Sequence, residues 1–85
     1  MTQESHKILI KTKTNEDPRI VYSVIFRNAY YDLECYKVDW KEKKDYCYIE
    51  SLTDDEGEAE TFLQMISRGK AYPVHIHDLA EDYFQ

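Results

Sequence analysis

The chain has 85 residues, 42% apolar and 33% charged, with 17 acidic and 11 basic side chains and a net charge of −6. No apolar run approaches the ~18 residues of a membrane span, and two cysteines are too few for a disulfide-stapled mini-protein. One Trp, eight Tyr and three Phe supply a core that a disordered chain lacks, and the length suits a single domain, residues 1–85.

His6 to Thr14 alternates, with Ile8, Ile10 and Thr12 on one side and Lys7, Leu9, Lys11 and Lys13 on the other, which predicts a half-buried strand. Asn15-Glu16-Asp17-Pro18 is turn chemistry. Ile20 to Asn28 follows with Ile20, Tyr22, Val24 and Phe26 on one face and Val21 and Ile25 on the other, the pattern of a central strand. Tyr31 to Trp40 alternates again: Tyr31, Leu33 and Cys35 against Asp32, Glu34 and Tyr36. A charged connection, Lys41 to Asp45, leads to a fourth strand over Tyr46 to Leu52, with Cys47 and Ile49 inward. Short polar connections predict an antiparallel meander.

At Thr53 the period changes. Thr53-Asp54-Asp55-Glu56 reads as a capping box with Thr53 as N-cap, and Ala59, Phe62, Leu63 and Ile66 recur at helical spacing. Gly69 is placed to end that helix in the left-handed conformation. Pro73 predicts extended chain over Ala71 to His75. Ile76, Leu79, Ala80 and Tyr83 then predict a short terminal helix. The expected fold is α+β: a four-stranded antiparallel meander, one long helix (about 54–68) packed on one face, and a short C-terminal helix (about 76–84). Ile8, Ile10, Val24, Phe26, Leu33, Cys35 and Ile49 of the sheet, with Phe62, Leu63 and Ile66 of the helix, form the expected core.

The charge is unevenly placed. Residues 1–50 carry nine basic and nine acidic side chains, whereas residues 51–85 carry two basic and eight acidic ones, so the whole excess of −6 lies in the last 35 residues. An acidic domain is poorly suited to neutralising phosphates, so no nucleic-acid partner is expected. Acidic residues also serve solubility and helix capping; gathered on one surface, they would speed encounter with a basic partner. Cys35 and Cys47 lack metal spacing and suit small buried hydrophobes in a reducing cytoplasm.

Two constellations are candidates for function. Tyr36, Trp40, Tyr46 and Tyr48 flank the second hairpin, where aromatics pair across strands and are also the residue type enriched at protein interfaces. His75 and His77 would share a face if they lay on a strand and could begin a zinc or nickel site, with Asp78 and Asp82 to complete it; the spacing matches no recognised metal motif, and capping of the following helix by His77 or Asp78, with solvent exposure, is the favoured reading. Gly57 and Gly69 are the only glycines, so no glycine-rich phosphate loop exists, and neither GxSxG nor HExxH occurs.

The segment SLTDDEGEAETFLQMISRGKAYPVHIHDLAEDYF resembles the C-terminal pattern of a family of short Gram-positive bacterial proteins of unknown function. That pattern ends in P-x-H-aliphatic-x-D-aliphatic-x-E-D-aromatic, met here by Pro73, His75, Ile76, Asp78, Leu79, Glu81, Asp82 and Tyr83. The resemblance implies a bacterial cytoplasmic protein and brings no activity or cofactor with it. The expectation is therefore a non-enzymatic protein–protein interaction or regulatory module, with Tyr36, Trp40, Tyr46, Tyr48, Asp78, Glu81 and Asp82 at its interface. Its partner would be a protein, including a second copy in a homodimer; no membrane partner and no cofactor are implied. The alternative is a small metal-binding protein using His75 and His77.

Overall fold

The period-two segments pair into one sheet, and the segments with helical spacing cover one of its faces. The computed structural model describes residues 6–39 and 41–84. Strands β1 (Ile8–Glu16), β2 (Arg19–Arg27), β3 (Tyr30–Lys37) and β4 (Tyr46–Thr53) form an antiparallel sheet in that order, followed by helices α1 (Glu56–Arg68) and α2 (Pro73–Tyr83). The α+β meander is as expected. Tight turns join β1 to β2 through Asp17-Pro18 and β2 to β3 through Asn28-Ala29. A 3₁₀ turn over Lys43–Asp45 lies between β3 and β4, where the Asp45 carboxylate accepts from the Lys41 and Glu42 amides at 3.3 Å.

The core lies between one sheet face and both helices. Ile20, Tyr22, Val24, Leu33 and Cys35 of the sheet are fully buried against Ala59, Phe62 and Leu63 of α1 and Ile76 of α2. Burying side chains of this size stabilises by about 1.5–3 kcal/mol each. Phe62 packs its ring 5.5 Å from Tyr83 and 5.4 Å from Phe84, which joins the middle of α1 to the end of α2. Asn15 and Tyr22 fasten the other end: the Tyr22 hydroxyl donates to the Ala71 carbonyl at 2.8 Å, and Asn15 Nδ2 donates to the Ser67 carbonyl at 3.0 Å.

Four local expectations are corrected. In β1, a bulge sets Ile10 and Lys11 together opposite Val24, and the extra residue reverses the alternation beyond it. Lys11, Lys13 and Asn15 consequently share the helix side with Val24, Tyr22 and Ile20, while Thr12 faces the other side and Ile8 is 53% exposed. The cap of α1 is Asp55, not Thr53: Asp55 accepts from the Glu58 amide at 3.0 Å, and Thr53 instead accepts from the Asp55 amide at 3.1 Å. At the other end Gly69 keeps a right-handed φ of −78°, and Lys70 takes the left-handed position with φ 54°. The Lys70 amide donates to the Ser67 carbonyl and the Ala71 amide to the Ile66 carbonyl, which closes the helix as a Schellman motif one residue later than its glycine. Finally, α2 starts at Pro73 because proline at the first helical position loses no hydrogen bond and brings the right φ.

Candidate functional site

Because α1 and α2 lie on the same side, no helix or strand among the described residues covers the opposite face of the sheet. Two rows of side chains run across all four strands there. The first is Thr14, Val21, Tyr36 and Tyr46; the second is Thr12, Ser23, Glu34 and Tyr48, each residue directly opposite the next. Leu9 and Ile25 pair beside the second row. The face thus has two halves. The β1–β2 half presents aliphatic and hydroxyl side chains, and the β3–β4 half presents three tyrosines with Glu34.

The tyrosines are held in place. Tyr36 and Tyr46 stack with ring centres 6.4 Å apart and planes inclined by 25°. The Tyr46 hydroxyl donates to Glu34 Oε2 at 2.8 Å, and the Tyr48 hydroxyl donates to Asp32 Oδ2 at 2.7 Å. Burial, and then these carboxylates, push both phenol pKa values up to about 12, so each remains a protonated donor. Lys7 adds its ammonium 5.2 Å from the centre of the Tyr48 ring. Fixed aromatics of this kind lose little entropy when they make a contact.

Asp32 anchors this arrangement. Its side chain is fully buried, and it also accepts from Arg27 Nε at 2.8 Å and from the Ser51 amide at 2.8 Å. Burial disfavours its charge, but the Ser51 amide, the Tyr48 hydroxyl and Arg27 outweigh that and hold its carboxyl below the ordinary range. Ser51 reaches Asp32 because β4 is irregular between Ile49 and Thr53, where Ser51 adopts φ 55°. The sequence reading missed this network. Its only signal was an acidic residue at a strand position where Arg27, just before the two-residue turn, shares the face.

The remaining expected site residues lie elsewhere. Asp78, Glu81 and Asp82 are exposed on α2, in the layer opposite the tyrosine face, so the seven interface candidates do not form one surface. Tyr83 sits against Glu58, whose carboxylate raises the Tyr83 pKa. The end of α2, with Glu81 and Asp82, therefore adjoins the first turn of α1. Trp40 lies outside the described residues. His75 and His77 are both in α2, not on a strand. Two positions along a helix are about 200° apart, so the strand geometry that would have aimed both at one ion is not present. Among the described residues no group of three or more His, Cys, Asp or Glu is placed to hold a metal ion.

Cys35 and Cys47 are direct partners across β3 and β4 on the core face, both as free thiols. Among the described residues no helix is long and apolar enough to cross a membrane. No curated protein and no solved structure matches the chain. A family model matches residues 2–85, nearly the full length, and the chain belongs to that family, a family of unknown function (DUF6514).

Proposed function

We infer that this chain is a non-enzymatic interaction module that docks a protein partner on the tyrosine-bearing face of its sheet. The observation that carries this reading is the row of Tyr36 and Tyr46, with Tyr48 beside it, on the sheet face opposite both helices. Tyrosine supplies a large apolar contact together with a polar tip, and a rigid sheet presents it without reorganisation. The same reading sets the protein in a bacterial cytoplasm, in keeping with two buried cysteines that serve as core hydrophobes. It also leaves Asp78, Glu81 and Asp82 to solubility.

Affinity capture from a lysate of the source cells tests the proposal. A protein recovered in stoichiometric amount by the wild type should be lost with Tyr36→Ser/Tyr46→Ser. It should be retained with Asp78→Asn/Glu81→Gln/Asp82→Asn. Equal recovery by the tyrosine variant would reject the tyrosine face as the docking surface.

A further inference from the structure

We propose that the partner seated on this face is a second copy of the same chain, with the two sheets stacked face to face about a two-fold axis and the helices outward. The proposal rests on the interaction reading above and adds the identity of the occupant.

The charge distribution selects the sheet face over the helix layer. Residues 54–85, which form both helices and the segments joining them, carry the whole net charge of −6, and residues 1–53 are balanced. Two copies meeting through their helices would bring these like charges together. Stacked sheets lie ~10 Å apart, and each acidic layer then sits beyond its own sheet. Exposed charges so far apart are screened by salt over about 8 Å.

The face is complementary to itself. A two-fold axis running along the strands between β2 and β3 lays the β1–β2 half of one copy on the β3–β4 half of the other. Within the first row, Tyr46 then meets the partner's Thr14, and Tyr36 meets the partner's Val21. Within the second, Thr12 meets the partner's Tyr48, and the hydroxyl pair it forms with the nearly buried Ser23 at 3.2 Å lies beneath the partner's Glu34. Aliphatic groups are set against tyrosine rings and hydroxyl donors against a carboxylate, and each contact occurs twice.

The size is sufficient. Strands of eight or nine residues make a four-stranded face of roughly 19 by 26 Å, about 1,000 Å² in plan for the pair. Side-chain relief raises the accessible area towards the range of specific interfaces, about 1,200–2,000 Å². A chain of this length also buries only ~60–65% of its unfolded surface alone, and closing the open face adds a second core between the sheets.

Sedimentation equilibrium of the full chain, with Thr14→Glu and Tyr46→Glu, tests the arrangement, the melting curves of the variants confirming that they fold. The wild type should sediment at twice 10.2 kDa at micromolar concentration, and each variant should shift to the single mass. A wild type that stays single, or a dimer untouched by both substitutions, would overturn the proposal. A photo-crosslinking amino acid in place of Tyr46 in living cells separates it from the broader reading. An adduct of two identical chains supports the second copy. An adduct with a different protein overturns the second copy and leaves the interaction face standing. No adduct at all counts against both.

Discussion

Tyr48, on the open face, donates its hydroxyl to the fully buried Asp32 across the β3–β4 pairing at 2.7 Å. The surface tyrosine and the buried acid are thus parts of one network, which also ties Arg27 and Ser51 into place. Asp32→Ala strands three donors at once and should destabilise the fold by about 3 kcal/mol in urea unfolding, whereas Tyr48→Phe should remove about 1 kcal/mol.

The sign of the pH dependence follows from the lowered carboxyl of Asp32. A group whose pKa is depressed on folding contributes stability above its unfolded value, about 3.9, and loses it as pH falls through the folded value. Asp32's contribution should be full above about pH 5 and should fade in more acidic solution. The stability difference between wild type and Asp32→Asn, followed by denaturant titration at each pH, should therefore narrow on acidification. A constant difference from pH 7 to pH 3 would contradict the ionised network.

The turn between β2 and β3 has Asn28 at φ 55° and Ala29 at φ 69°. Two left-handed residues in a two-residue hairpin suit Asn-Gly and penalise a Cβ at the second position. Ala29→Gly should raise stability by about 1 kcal/mol, read as a higher denaturant midpoint at unchanged slope.

A similar mismatch ends α1. Lys70 holds the left-handed position while Gly69 is right-handed, and a Cβ on Gly69 would meet its nearest neighbour, the Met65 carbonyl, at an ordinary 3.5 Å. Exchanging the two roles with Gly69→Ala and Lys70→Gly should stabilise, each by about 0.5–1 kcal/mol. Thermal melts of the two single variants and the double variant measure this; a lower melting temperature for Lys70→Gly would refute the cap assignment.

Burial, followed by the neighbouring Cys47 and Glu34, pushes the Cys35 thiol up to about 12, and burial raises Cys47 as well. Neither thiol is a reactive thiolate in the folded chain. An aromatic disulfide reagent at pH 8 should label both only after denaturation, and rapid labelling of the native protein would contradict their placement.

What the sequence showed and what it concealed divide by the range of the interaction. Ile20, Tyr22 and Val24 announced their common face because strand alternation is local, and Phe62, Leu63 and Ile66 announced α1 by helical spacing. The facing of Thr12 was misread because a single extra residue at Ile10 changes parity beyond it without leaving a mark in composition, whereas Ile8 keeps its expected side and is exposed at the start of the edge strand. Asp55 and Thr53 are both competent caps, and which one the helix uses depends on where β4 releases the chain. Pro73 carries two meanings, ending one segment or starting the next, and only packing of Ile76 and Ala80 against the sheet selects the second. The coming together of Tyr36, Tyr46 and Tyr48 was legible, because alternation gave their shared side. Their support by Asp32 was not, because it needs the irregularity at Ser51.

The bulge in β1 also governs how this sheet stops growing. An open sheet exposes its outer strands, and an unpaired strand is a template on which further chains extend into fibres. Beyond Ile10, the edge strand directs Lys11 and Lys13 to the helix side, where Lys11 lies 3.9 Å from Glu60. A chain adding to that edge would carry the register past a kink and crowd its own side chains against two ammonium groups. Removing Ile10 would straighten the edge, with Lys11 following Leu9 in unbroken register and both lysines still on the helix side. The single inserted residue that obscured the strand's pattern is therefore also its guard against endless polymerisation.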